Sequence, residues 1–134
     1  MTREAFRRLV SEAIDTIPRR FQQHIANMAV IVEDEPPQEL LDEMGIDPPD
    51  TLFGLYQGVP LTERSWAHGN ALPDRIAIYQ GPIEDWCQTD EDIVTEIGET
   101  LIHELGHYFG FGEDELEEIE DQYWHQRTGE EREP

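Results

Sequence analysis

Apolar residues recur at helical spacing near the start of the chain, where Phe6, Leu9, Val10, Ala13, Ile14 and Ile17 are interleaved with arginines and glutamates until Pro18 interrupts the pattern. Steps of three and four residues put these side chains on one face, which predicts an amphipathic opening helix. Residues 28–32, MAVIV, form a short run rich in β-branched side chains, and the charged, proline-bearing EDEPP closes it, so a buried strand is expected there. Residues 38–44 suit a short helix, whereas 45–50 hold two prolines and read as a loop. TLFGLYQG (51–58) and RIAIYQG (75–81) are expected to be two further strands, each apolar, aromatic-containing and ended by glycine. Between them GVPLTERSWAHGNALPD reads as a long surface connection; connections of that length inside a compact domain often serve function, which makes it a candidate cleft wall.

After Pro82 the period changes. Thr89 followed three residues later by Asp92 has the form of a capping box, and Ile93, Ile97, Leu101, Leu105 and Phe109 then trace one helical stripe. A long, half-buried helix is therefore predicted from about Asp90 to Phe109, ended by Gly110 and Gly112. EDELEEIEDQYWHQRT restarts as a last helix with Leu116, Ile119 and Tyr123 inward, and GEEREP is expected to fray. No internal repeat interrupts this order. Strands set among helices point to an α+β fold, with helices packed on a small sheet of three to four strands. At 134 residues and 37% apolar content the chain has the size of one domain, spanning residues 1–134.

Charge narrows the partners. There are 31 acids against nine basic residues, all of them arginine, for a net charge of −22. Such a surface repels phosphate backbones and anionic lipid heads, and no basic patch with interleaved aromatics offsets the repulsion, so neither nucleic acid nor membrane is an expected partner. Most of the acidity reads as solubility or adaptation to salt. No apolar run approaches the roughly 18 residues of a membrane helix, and MTREAFRRLV does not lead into a hydrophobic signal core, which together predict a cytoplasmic protein, expected to be monomeric. The single cysteine, Cys87, cannot close an intramolecular disulfide and has no neighbouring thiol for a metal site; it is expected to be a small buried residue. Any metal must be held by imidazole and carboxylate.

The candidate chemistry lies on the long helix. His103 and His107 stand four residues apart, so their rings leave one face about 6 Å apart at Cβ, a separation that two imidazoles can close around one ion. Glu104 points about 100° further round the axis, bordering the ion without joining the pair, where it can take a proton from water. A catalytic zinc ion takes three protein ligands, so one more must come from beyond the helix. Gly110 allows the sharp turn that brings Glu113 or Asp114 back toward the histidines. Glu96 and Thr100, earlier on the helix, are candidates to orient a ligand imidazole, with plain solvent exposure as their default, and His68 in the long connection is a candidate substitute third ligand or cleft residue whose default is a surface histidine. HExxH alone is a loose pattern that surface helices produce by chance. The cap, the inward stripe, the terminating glycine and the downstream carboxylate all agree with a metal site.

Taken together, VIVEDEPP, LFGLYQGVPLTERS, LPDRIAIYQGP and HELGHYFGFGEDEL resemble, in order and spacing, a family of small bacterial proteins with a minimal zincin-like fold, known as predicted metallopeptidases or as a domain of unknown function. The resemblance spans nearly the whole chain. The family's motif is similar to HExxHxxGxxD, which maps onto His103, Glu104, His107 and Gly110, with Glu113 where aspartate is usual and Asp114 one place later. It implies zinc bound by His103, His107 and Glu113, with Glu104 as catalytic base, in a zincin-like metallopeptidase acting on a peptide or protein substrate. It also implies that an edge strand, here TLFGLYQG, receives the substrate as an added strand. Two other readings stay open: a weakly metallated binding module of the same fold, and a hydrolase of non-peptide amides.

Overall fold

The structure, a computed structural model, describes residues 1–58 and 74–129. Most of the long connection, with Trp66 and His68, and the last five residues of the acidic tail lie outside the described residues. The elements run α1 (Arg3–Thr16), α2 (Arg19–Ile25), β1 (Ala29–Glu33), α3 (Gln38–Glu43), β2 (Gly54–Gln57), β3 (Arg75–Tyr79), α4 (Gln80–Trp86), α5 (Asp90–Phe109) and α6 (Glu113–Thr128). The fold is α+β, and the strands form a mixed sheet of three among the described residues, in the order β1-β3-β2. β1 runs parallel to β3, with Val30 opposite Ile76 and Val32 opposite Ile78. β2 pairs antiparallel with β3, Leu55 opposite Ala77, and forms one edge of this sheet.

Two helices were not foreseen from the sequence. α2 begins directly after Pro18, which takes the N-cap position, because a proline lacks only an N–H that the helix start leaves unpaired in any case. The apolar segment expected to end as a strand at Gly81 instead leaves the sheet at Tyr79 and turns into α4. Pro82 falls in that helix's first turn, where it is tolerated, and the Gly81 N–H donates to the carbonyl of Asp34. The strand expected from Thr51 starts only at Gly54, though the Phe53 carbonyl already accepts the Tyr79 N–H.

The core forms where α1 and α5 cover the sheet. Phe6, Ile17 and Phe21 from the first two helices and the turn between them meet Ile76 and Ile78 of β3 and Ile93, Ile97, Leu101 and Leu105 of α5, all buried. Each such side chain contributes roughly 1.5–3 kcal/mol on leaving water. α6 packs along α5 through Leu116 and Tyr123, and the buried Tyr123 hydroxyl is satisfied by Thr16 Oγ1 at 2.8 Å. Arg127 locks the far end of this pair, donating to Thr95 and Glu91 at the start of α5. No helix among the described residues is long and apolar enough to cross a membrane.

Candidate active site

α5 carries the site, and its ends are set by local signals. The Thr89 side chain accepts from the Asp92 N–H, and Asp90, Glu91 and Asp92 place negative charge on the positive end of the helix dipole. At the other end Gly110 takes φ +75°, a left-handed conformation that a side chain resists, and the Phe111 N–H reaches back to the Gly106 carbonyl. The chain reverses there, so α6 runs back along α5. Leu116 lies over Gly106 and Tyr123 over Gly98, where an added Cβ would come within 2.5 Å and 1.8 Å of those side chains. The two glycines thus set how closely the helices approach.

On the polar flank of α5 the rings of His103 and His107 are 4.8 Å apart between centroids and lie at 69°. Both open into a cleft of about 450 Å³ walled by residues 51–55 leading into β2, by Glu96, Glu99 and Glu104 of α5, and by Glu120 of α6. Their side chains are 49% and 54% exposed, respectively, whereas Glu104 is buried. Glu104 is fixed from the sheet side: the Tyr56 N–H donates to its Oε1 at 2.7 Å, and its Oε2 lies 4.0 Å from His107 Nδ1. Glu120 sits against the other ring, its Oε1 3.3 Å from His103 Nδ1.

The electrostatics follow from this packing. Burial raises the Glu104 carboxyl above its ordinary range, opposed by the Tyr56 N–H and by the two imidazoles. The hydrogen bond to Glu120 raises His103, with partial burial working against it and the charges of Glu120, Glu104 and Glu99 adding to the rise. Glu96 is pushed up to about 7 by burial and by the neighbouring Glu99. Burial, with the charges of Glu96 and Asp92, pushes the Cys87 thiol up to about 11, which keeps it protonated and unreactive at neutral pH. Cys87 is only partly buried, packed against the core rim, rather than fully inside.

Of the residues singled out in the sequence, His103, Glu104 and His107 converge in the cleft. Glu113 and Asp114 occupy the exposed first turn of α6; among the described residues neither bonds to the histidines nor lines the cleft. Thr100 commits its hydroxyl to the Glu96 carbonyl of its own helix, at 2.8 Å. His24 is a packing residue, its ring edge-on to Phe109, and Trp86 stands 72% exposed beside Phe53. Glu120 was missed. Its signal is a charged residue between Leu116 and Tyr123 on the inward stripe of α6, four residues after one and three before the other. Two imidazoles flanked by carboxylates are the nitrogen and oxygen donors that zinc accepts, so the residues present fit that ion. Among the described residues they are not gathered into a complete set of three ligands.

With this geometry in place, comparison with known proteins gives a family. The profile of the zincin-like metallopeptidases matches residues 25–123, from the end of α2 to the inward Tyr123 of α6. The chain belongs to this family. A solved structure of a conserved hypothetical protein from Thermo thermophilus is similar, at 25% identity and a TM-score of 0.53 over 81% of this chain and 94% of that one. No curated protein matches. The zincin-like match contains β1, β2, β3 and all of α5, so it takes in both the core and the cleft.

Proposed function

We propose that the protein is a zinc-dependent peptidase, hydrolysing peptide or protein substrates as a cytoplasmic monomer, with His103 and His107 as imidazole ligands, Glu113 or Asp114 from the first turn of α6, or water, completing the set, and Glu104 as base. The observation that carries this reading is the convergence of two exposed imidazoles and a buried carboxylate in one cleft beside a sheet edge. A zinc ion bound there supplies the Lewis acidity that makes water acidic near neutral pH and polarises a carbonyl. Glu104 does the proton work. Its Oε1 is committed to the Tyr56 N–H, so Oε2 accepts the proton of the attacking water. As the water oxygen bonds to the carbonyl carbon and the C–N bond breaks, Glu104 passes that proton to the departing amine. The raised affinity of this carboxyl for protons suits both transfers.

β2 supplies a place for the substrate backbone. Because Phe53 faces β3 with its carbonyl, the main-chain groups of Gly54 and Tyr56 point away from the sheet, as alternation in an antiparallel pair requires. The Tyr56 N–H is taken by Glu104, and the main-chain groups of Gly54 are the ones placed to pair with an extended peptide. Gly54 is needed there, since a Cβ would come within 2.7 Å of Thr100 and 2.8 Å of the Ala77 carbonyl. The test is Glu104→Gln, which keeps the acceptor for Tyr56 but cannot take a proton. Peptide cleavage should fall by about 10²–10⁴ while zinc is still bound; cleavage at the wild-type rate would refute the assignment.

A further inference from the structure

Glu120 is a carboxylate on a buried stripe. Its neighbours on that face, Leu116 and Tyr123, are core residues, and its own side chain is only 11% exposed. Burying a carboxylate costs several kcal/mol unless a partner compensates, and the partner here is Nδ1 of His103 at 3.3 Å. We propose that Glu120 is the positioning residue of the metal site: it accepts the Nδ1–H of His103, fixing the tautomer and ring plane so that Nε2 is the nitrogen presented to the cation. This rests on the zinc site proposed above.

Three observations favour Glu120 as the partner of His103. Glu104 is held by the Tyr56 N–H on the opposite side, and its nearer contact is with His107, at 4.0 Å. Thr100, the other polar candidate on α5, gives its hydroxyl to the main-chain carbonyl of Glu96. The height of α6 on α5 is set on both sides of Glu120, by Leu116 over Gly106 and by Tyr123 over Gly98, so the carboxylate is delivered to His103 by packing that is independent of any ion. An imidazole whose Nδ1–H is bonded by a carboxylate is a more basic and better oriented ligand through Nε2, and loss of such a partner typically lowers metal affinity 10–100-fold. The two ligand rings are therefore unequal. His103 is held in place, whereas among the described residues His107 has its nearest carboxylate oxygen 4.0 Å from Nδ1, beyond hydrogen-bonding distance, and adjusts to the ion.

The experiment is a zinc competition titration, against a chelating indicator, of the wild type, Glu120→Ala, Glu120→Gln and a His103→Ala/His107→Ala double variant, with cobalt(II) spectra of the first three. Glu120→Ala should bind zinc about 10–100-fold more weakly. Glu120→Gln, whose amide oxygen still accepts the Nδ1–H, should recover most of that loss and give the wild-type cobalt spectrum. Wild-type affinity in Glu120→Ala overturns the inference alone. So does a Glu120→Gln as weak as the alanine variant with an altered cobalt spectrum, which would make Glu120 a ligand itself. A wild type no tighter than the double variant removes the zinc site and the inference with it. Nitrogen-15 spectra of the zinc-loaded wild type decide the point without a Glu120 variant: Nε2 of His103 should be the metal-bound nitrogen, and Nδ1 in that place overturns the proposal.

Discussion

The two flanks of α5 obey opposite rules. On one, Ile93, Ile97, Leu101 and Leu105 are buried with α1 and β3 in an apolar core that needs no partner chemistry. On the other, Glu96, Glu99, Glu104, His103 and His107 line a cleft together with Glu120 of α6. The first flank stabilises the helix. The second is a concentration of negative charge, with two proton affinities raised by burial, that the Tyr56 N–H and the two imidazoles relieve at Glu104. A helix can carry so frustrated a surface because its opposite face is so well packed.

That contrast can be broken first on the packed side. Leu101 is fully buried in the core that α1 and α5 share. Leu101→Ala should cost about 2–5 kcal/mol in denaturant unfolding, yet leave zinc affinity close to wild type below the transition, since Leu101 is not part of the cleft wall. A loss of under about 1 kcal/mol would show that the apolar flank is not what sustains the site.

A smaller effect sharpens the comparison from the polar side. Glu96 has an ordinary carboxyl value of 4.5 and is pushed up to about 7 in the fold. Between those values the folded chain holds a proton that the unfolded chain has released, so this group's contribution makes stability fall as pH rises from about 4.5 to 7. Glu96→Gln removes the penalty. In metal-free protein its advantage over wild type should be near zero at about pH 4 and grow to about 1–3 kcal/mol by about pH 8. Parallel melting-temperature profiles for the two proteins across that range would contradict the assignment.

The legible parts of the molecule were those written in local chemistry. Thr89 and Gly110 bound α5, and the glycine-led restart at Glu113 begins α6; both helices were foreseen at the observed limits because caps and left-handed turns need only neighbouring residues. α2 and α4 were missed because each is seven residues long and begins beside a residue, Pro18 or Gly81, that usually signals interruption. In the site, His103, Glu104 and His107 were readable from spacing on one helix. Glu120 was not, because its role depends on how far α6 slides along α5, and that is fixed by Gly98 and Gly106 meeting Tyr123 and Leu116. Glu113 was chosen on its spacing from the histidines. The structure places it in the exposed first turn of α6, away from the cleft wall that Glu120 joins.

The most direct test of the proposed zinc site is calorimetric titration of zinc into the metal-free protein, wild type beside the His103→Ala/His107→Ala variant. One tightly bound ion per chain in the wild type, abolished in the variant, is the expected result. Equal binding by the two proteins, or none by the wild type, would contradict it.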